Sequence, residues 1–322
     1  MQAIMTIWLL PTILLLLSFP SANAMELPGI PEFIDDMVTK HQFKRDELEQ
    51  IFQNAQYRQA VINAISAPAT IKPWAQYRAA FTNHKRISDG LNFWKNHKNA
   101  LQRAEKEYGV PQEMIVAVIG VETNYGRRTG KFNTLEALST LAFDYPGRAD
   151  FFRSELEQYL LLAREQKLQP FKMHGSYAGA LGIPQFMPSS YRKHAIDFNN
   201  DGTVNLFNDP EDSIGSVANY FKQFGWQSGE PVATRVKLNE QAESNVKEMH
   251  SVAAWAEIGV IPMTQTANLE SAWLLDFSAP GEKEFWLAFK NFQVIMRYNN
   301  STFYAMSVHQ LADALHDARG PN

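Results

Sequence analysis

Apolar residues recur along most of this 322-residue chain at the three- and four-residue intervals of a helix face, and alternate only over a short stretch after residue 231. Phe33, Met37 and Val38 mark one stripe and Leu48, Ile51 and Phe52 another, so residues 30–66 are predicted helical. Ser66-Ala67-Pro68-Ala69 breaks the pattern. Trp74, Tyr77, Phe81, Ile87, Leu91, Trp94 and Leu101 then predict one long helix over 73–108, ended by Gly109-Val110-Pro111. Pro111 suits the first position of the next helix, and Gly126 is expected to stop it. Thr134 is the predicted cap of a helix over 135–143. Another helix spans 149–166, with Phe152, Leu156, Tyr159, Leu160 and Ala163 on one side. Residues 174–191 hold three Gly and two Pro, which implies an irregular, close-fitting loop. Ile214, Val217, Tyr220, Phe221 and Phe224 predict a helix over 213–225, capped by Gly225. Val232, Thr234, Val236 and Leu238 alternate as in a strand. A short helix at 250–257 follows, then strands at 272–277 and 284–289 around Pro280-Gly281, and a third strand at 292–298. Residues 301–318 return to helix. The pattern is α+β and mainly α, with 229–290 a small β-rich insertion.

Ile115, Val118, Ile119 and Glu122 fall at i, i+3, i+4 and i+7, which places a carboxylate on the stripe expected to pack. Removal from water raises the pKa of a carboxylic acid, and an acid still protonated near neutral pH can serve as a general acid. Spacing alone leaves a second reading open, a Glu rotated to the surface or paired with an arginine for structure.

Composition narrows the classes. A net charge of −4 argues against nucleic-acid binding. The chain has no Cys, which excludes disulfides, thiolate metal sites, a Cys nucleophile and a lipid-bearing Cys. Residues 1–24 run apolar into Ala22-Asn23-Ala24, the pattern of a secretory signal cleaved after Ala24, although Lys and Arg are missing from its start. An uncleaved anchor is the rival, weakened by the short run at 3–19 and by Pro11. Both readings export the body of the chain, and the first needs no stable membrane insertion.

From Asp197 onward, oxygen-bearing side chains occupy alternate positions: Asp197, Asn199, Asp201, Thr203 and Asn205, with Gly202 at the sixth. This is the pattern of a calcium loop, in which Gly allows the sharp turn. It departs at the twelfth position, where Asn208 replaces the expected bidentate Glu; Asp209 or Asp212 could supply the carboxylate from a longer loop. Weak, structural Ca2+ binding is expected, and an Asx-turn loop without metal is the alternative. His174 and His194 lack the spacing of a metal motif, and no Gly-x-Ser-x-Gly context supports a serine hydrolase. No cofactor for chemistry is expected.

Taken together, these stretches resemble the lytic murein transglycosylase B family, as a soluble member without a lipid anchor. The resemblance rests on Val-Ile-Gly-Val-Glu-Thr-Asn-Tyr-Gly (118–126), Leu-Ala-Phe-Asp-Tyr-Pro-Gly-Arg-Ala (141–149) and Gly-Ser-Tyr-Ala-Gly-Ala-Leu-Gly-Ile-Pro-Gln-Phe-Met-Pro-Ser-Ser-Tyr (175–191). It continues through Ser-Val-Ala-Asn-Tyr-Phe (216–221) and Met-Arg-Tyr-Asn-Asn-Ser-Thr-Phe-Tyr-Ala-Met (296–306). It implies a helical N-terminal domain over 25–100 and a lysozyme-like core with an EF-hand-like loop over 101–228. A small β-rich domain over 229–290 would follow, and 291–322 would return to the core. The implied location is the periplasm. The implied partners are peptidoglycan glycan strands and other cell-wall enzymes.

The family's activity is cleavage of the bond between N-acetylmuramic acid and N-acetylglucosamine without water, leaving a 1,6-anhydromuramoyl end. Carried over, Glu122 matches the sole acid/base. Ser176 and Gln185 match residues holding the muramoyl N-acetyl group and sugar. Arg148 matches a basic residue near the lactyl-peptide carboxylates. Phe186, Tyr220, Tyr298, Asn299 and Tyr304 match positions lining the cleft. Asp197, Asn199, Asp201, Thr203 and Asp212 match the ion ligands. One extra residue between Asn205 and Asp212 puts the last ligand in question, and Gly147 stands where relatives are often basic. Two other classes stay open: a hydrolytic muramidase using Asp144 or Asp150 as second carboxylate, and a non-catalytic wall-binding protein.

Overall fold

The computed structural model describes residues 27–67, 72–239, 242, 249–264, 271–279 and 281–320. The expected signal segment 1–24 and Pro280 of the expected turn lie outside these residues.

The first helices are α1 (Ile30–His41), α2 (Arg45–Asn54) and α3 (Gln59–Ser66). The single helix predicted for 73–108 is three: α4 (Trp74–Ala79), α5 (His84–Asn96) and α6 (Lys98–Tyr108). The Asn83 side chain accepts from Arg86 N and restarts the helix as a cap, a local signal that the continuous apolar stripe conceals. Next come α7 (Gln112–Thr123), α8 (Thr134–Asp144), α9 (Ala149–Glu165), α10 (Pro188–His194) and α11 (Pro210–Gln223). α8 is capped by Asn133, whose side chain accepts from Glu136 N, and not by Thr134, which is fully buried. After α12 (Val252–Glu257), the chain closes with α13 (Lys290–Tyr298) and α14 (Thr302–Arg319).

α13 overturns the third strand expected at 292–298. Its apolar and β-branched residues favour a strand locally, but Asn291, Phe292, Val294 and Ile295 are buried on one side of a helix. Tertiary packing overrides the local preference.

Two short strands, β1 (Phe132–Asn133) and β2 (His174–Gly175), pair antiparallel and pin the start of α8 beside the Gly-rich loop. The larger sheet has β3 (Ala233–Leu238), β4 (Val260–Pro262), β5 (Trp273–Asp276) and β6 (Phe285–Ala288). Its order is β4-β3-β6-β5, antiparallel throughout, with Val236 opposite both Pro262 and Phe285. The expectation of a mainly helical α+β chain is borne out.

One contiguous apolar core runs from Ile30 on α1 to Leu315 on α14. A smaller, separate core of Val236, Val252, Trp255, Val260, Phe285, Leu287 and Phe289 lies against the sheet. α7 sits at the centre of the larger one, packed by α5, α6, α11 and α14. Met114 through Gly120 are all buried, so this helix is enclosed on every face and not on one stripe.

Candidate active site

α7 ends abruptly at its site. Asn124, Tyr125 and Gly126 have φ of 52°, 62° and 82°, three consecutive left-handed residues. The stop therefore comes before the predicted Gly126, at two residues for which that conformation is unfavourable. Tertiary contacts hold it. The Tyr125 hydroxyl donates to Arg86 O at 2.9 Å. Its ring lies so close to Gly120 that a Cβ there would meet the ring and hydroxyl at 2.7–2.8 Å. Arg86 donates to Gly120 O near the end of the same helix. Thr123 Oγ1 donates to Ile183 O at 2.8 Å and accepts from Gly126 N at 3.0 Å. These bonds fix Glu122, in the last turn, against the Gly-rich loop.

Glu122 is half-buried, and its Oε1 accepts from the Tyr304 hydroxyl at 2.6 Å. Burial pushes its pKa from the usual carboxylate range up to about 7, against the lowering effect of the Tyr304 hydrogen bond. The negative end of the helix dipole acts in the same direction as burial. Phenols surround the acid. Burial and the Glu122 carboxylate hold the Tyr298, Tyr304 and Tyr77 hydroxyls above their ordinary range. Tyr77, which its sequence position puts in a predicted packing stripe, stands near enough to feel the Glu122 charge and packs on Phe303, the neighbour of Tyr304.

The loop opposite is tightly built. Leu181 and Phe186 exchange backbone hydrogen bonds at 2.7 and 3.0 Å across a turn. Gly182, at φ 70°, would bring a Cβ to 2.4 Å from Leu206 O, so only Gly fits there. Gln185 is itself left-handed, at φ 52°. Its Nε2 donates to Thr129 O at 2.9 Å and to Gly182 O at 2.8 Å, which leaves Oε1 as the free acceptor. Ser176 Oγ accepts from Ala178 N at 3.2 Å and Ala180 N at 3.0 Å, leaving its hydroxyl proton as a donor. Buried Glu155 completes the frame: its carboxylate takes Ser189 N at 2.9 Å and Ser189 Oγ at 2.6 Å, at the start of α10.

A cleft of about 190 Å³ is lined by Gln185, Phe186, Tyr220 and Tyr298, together with Phe151, Glu155 and Arg297; Glu122, Ser176 and Tyr304 are not part of its lining, and Glu122 is tied to this group through Tyr304 and Tyr298. Phe186 and Tyr220 are almost fully buried and pack at an angle against Tyr298, with ring centroids 5.7 and 4.9 Å from it. The Tyr298 hydroxyl donates to Pro184 O at 2.5 Å and the Tyr220 hydroxyl to Arg297 O at 2.7 Å. Arg148 is exposed, with its guanidinium 4.4 Å from the ring centre of Phe151, which puts it at the rim of this cleft. Asn299 is exposed at the end of α13. The larger cavity of about 920 Å³ lies on the small sheet around Lys237, Asp276 and Phe285, and shares no lining residue with the cleft. Of the two carboxylates considered as partners for Glu122, Asp144 accepts from the Tyr57 hydroxyl at 2.7 Å and Asp150 is exposed on α9. Neither is among the groups that shift Glu122.

In the 197–212 loop, the acidic side chains hold the backbone. Asp197 takes Asp201 N at 3.1 Å and Gly202 N at 2.8 Å. Asn199 Oδ1 takes Asp201 N, and Asp201 takes both the N–H and hydroxyl of Thr203. The Thr203 hydrogen bonds hold the Asp201 carboxyl below its usual range. Asp212 is fully buried on α11 and accepts from Phe198 N, Asn199 N and Asn205 N at 2.8, 3.3 and 2.7 Å. Burial raises its pKa, opposed by these backbone donors. Among the described residues, no three His, Cys, Asp or Glu side chains converge as a metal cluster.

A family model described as the transglycosylase SLT domain matches residues 27–313. The membrane-bound lytic murein transglycosylase B of Escherichia coli (strain K12) is 42% identical over 320 residues, covering 93% of this chain and 88% of that protein. The soluble lytic transglycosylase SltB1 from Pseudomonas aeruginosa superposes with a TM-score of 0.86 at 47% identity, over 91% of this chain and 100% of that one. The Escherichia coli lytic transglycosylase Slt35 in complex with calcium gives a TM-score of 0.86 at 41% identity, over 93% and 96%.

Proposed function

The chain belongs to the lytic murein transglycosylase B family, and from that premise we propose how its residues carry the reaction. It is a peptidoglycan lytic transglycosylase with a lysozyme-like fold, cleaving the β-1,4 bond between N-acetylmuramic acid and N-acetylglucosamine. Glu122 acts first as general acid and protonates the leaving glycosidic oxygen. The substrate's own N-acetyl carbonyl stabilises the cationic anomeric carbon. Glu122, now a base, removes the proton from the muramoyl O6, which closes the 1,6-anhydro ring. Intramolecular attack has an effective concentration far above that of a competing bimolecular step. Gln185 Oε1 accepts from the N-acetyl N–H, the Ser176 hydroxyl donates to the sugar, and Arg148 at the rim meets the lactyl-peptide carboxylates. Tyr298, Asn299 and Tyr304 form the wall, and Phe186 and Tyr220 support it.

The observation that carries this reading is that, among the described residues, the side chain bonded to Glu122 is a phenol, while Glu155, the carboxylate in the cleft lining, is buried and engaged by Ser189. Hydrolytic glycosidases ordinarily set two carboxyl groups about 5–9.5 Å apart across the bond. Here the two influences shifting Glu122 are burial and a phenol. Digestion of purified sacculi, followed by mass analysis, tests it. The expected muropeptides are one water lighter than hydrolytic products and lack a reducing end. Borohydride-reducible muramic acid as main product would refute it and return attention to Asp144 and Asp150.

Calcium plays a structural part in this proposal. Asp197, Asn199, Asp201 and Thr203 offer the hard oxygens that Ca2+ prefers, and Asp212 shapes the loop from inside. Each carboxylate oxygen has lone pairs beyond those used by the backbone. The same reading divides the chain into a signal over 1–24, a helical domain over 25–100, a catalytic core over 101–228, a β-rich domain over 229–290 and a returning segment. The Ala22-Asn23-Ala24 pattern supports export to the periplasm. No helix among the described residues is long and apolar enough to cross a membrane.

A further inference from the structure

Glu284 is a carboxylate 3% exposed, next to the start of β6. Four side-chain donors from three segments of the chain converge on it. Oε2 accepts from Trp74 Nε1 at 3.1 Å and Arg78 Nη1 at 3.4 Å, both on α4. Oε1 accepts from Trp286 Nε1 at 2.9 Å on β6 and from Gln310 Nε2 at 3.3 Å on α14. Its own N–H donates to Ser278 Oγ at 3.0 Å.

α4 needs such an anchor. It has six residues and no side-chain cap, too short to hold its shape alone. Tyr77 lies between the two anchored residues, Trp74 and Arg78, in the same turn. Its ring centroid is 5.6 Å from Phe303, whose chain neighbour Tyr304 holds the Glu122 carboxylate. Trp74 packs on the same Phe303 at 5.2 Å and on Phe277 at 4.7 Å. A buried ion pair such as Arg78–Glu284 is an expensive way to hold a fold, since apolar residues of similar volume often stabilise as well or better. What the carboxylate supplies and an apolar residue cannot is a fixed direction for two indoles and a guanidinium.

We propose that Glu284 is a positioning residue for transglycosylation: through Trp74 and Arg78 it holds α4 so that Tyr77 stands as a substrate-contacting wall opposite Glu122. The small β-rich insertion thereby sets the shape of a cleft whose acid lies on a helix of the main core. This rests on the activity proposed above and adds a residue to it.

The test uses the purified full chain and soluble uncrosslinked glycan strands, with anhydro-product formation as readout. Glu284→Gln keeps the shape but leaves one acceptor oxygen, so either the α4 pair or the Trp286–Gln310 pair loses its partner. The expected result is a KM raised about 3–10-fold, the worth of one or two hydrogen bonds, with kcat within about twofold. Tyr77→Ala should raise KM by itself, and Glu284→Gln added to it should raise KM no further, because the first acts through the second. Both Glu284→Gln proteins should lose the same amount of thermal stability relative to their parents. An unchanged KM in Glu284→Gln, or an equal rise in the Tyr77→Ala background, overturns the proposal. If Glu284→Gln does not fold, Trp74→Phe decides: it keeps the ring packing, removes one donor, and should raise KM in the same non-additive way. Anhydro products from the unmodified protein in the same assay separate a failure of this proposal from a failure of the activity itself.

Discussion

The end of α7 at Glu122 and the 197–212 loop both present acidic side chains beside irregular backbone, yet they handle charge in opposite ways. Glu122 stands at a helix end inside the largest core, with phenols around it, and burial lifts its pKa to about 7. Asp201 is exposed, gathers hydrogen bonds from Thr203 and Asn199, and is held below its ordinary range. Asp212 stands between the two: it is as deeply buried as the core, but backbone N–H groups occupy both its oxygens. A carboxylate with few donors in a dry place can exchange a proton near neutrality. Carboxylates well supplied with donors, or open to water, stay charged and suit a cation or the backbone. Both places use a carboxyl group; solvation and donor count divide the roles.

Replacing the acid should break the contrast most severely. Glu122→Gln is expected to lose about 10²–10⁴-fold of lytic activity on peptidoglycan, the usual worth of a general acid/base, while folding normally. Near-normal activity in the folded variant would remove Glu122 from the chemistry. The same variant should become the more stable protein at alkaline pH. The folded-state pKa of Glu122 is raised, so its contribution is full below about 4.5 and is lost as pH rises through about 7. The loss is at most about 3 kcal/mol, and the neutral amide does not suffer it. The melting temperature of Glu122→Gln relative to the parent should therefore climb between pH 5 and pH 8; a constant difference would mean that the carboxylate is not desolvated.

A smaller effect should sharpen the other side. Calcium that binds only the native state must raise the melting temperature, by about 2.7 kcal/mol of stability at a hundredfold excess over Kd. Asp201→Ala should remove most of that gain. Coincident melting curves in calcium and in chelator would show that the loop works through its own backbone hydrogen bonds.

Much of the fold was legible because helix periodicity records burial, and α1, α9, α11 and α14 follow their apolar stripes closely. The misreadings occur where a local signal competes with a tertiary one. Asn83 interrupts a stripe that runs straight through it. Residues 292–298 carry strand-like residues, but packing against α14 makes them helical. Asn124 and Tyr125 accept left-handed backbone because Gly120 leaves room for the Tyr125 ring, which no window of sequence shows. In the site, Glu122 was visible as an acid inside an apolar run. Tyr77 and Glu284 were not, because a tyrosine in a helix stripe and a glutamate in a strand look ordinary until α4, β6 and α14 come together.

In the proposed mechanism, one desolvated carboxyl group, protonated near neutral pH, begins the reaction. The pH dependence of kcat/KM on isolated peptidoglycan reports the pKa of that acid in the free enzyme. A basic limb is expected near pH 7, with activity falling as Glu122 loses its proton. In Tyr304→Phe the limb should move upward, because the lost hydrogen bond is the influence that lowers the pKa. A limb near pH 4–5, the range of an ordinary exposed glutamate, or one that Tyr304→Phe leaves in place, would contradict it.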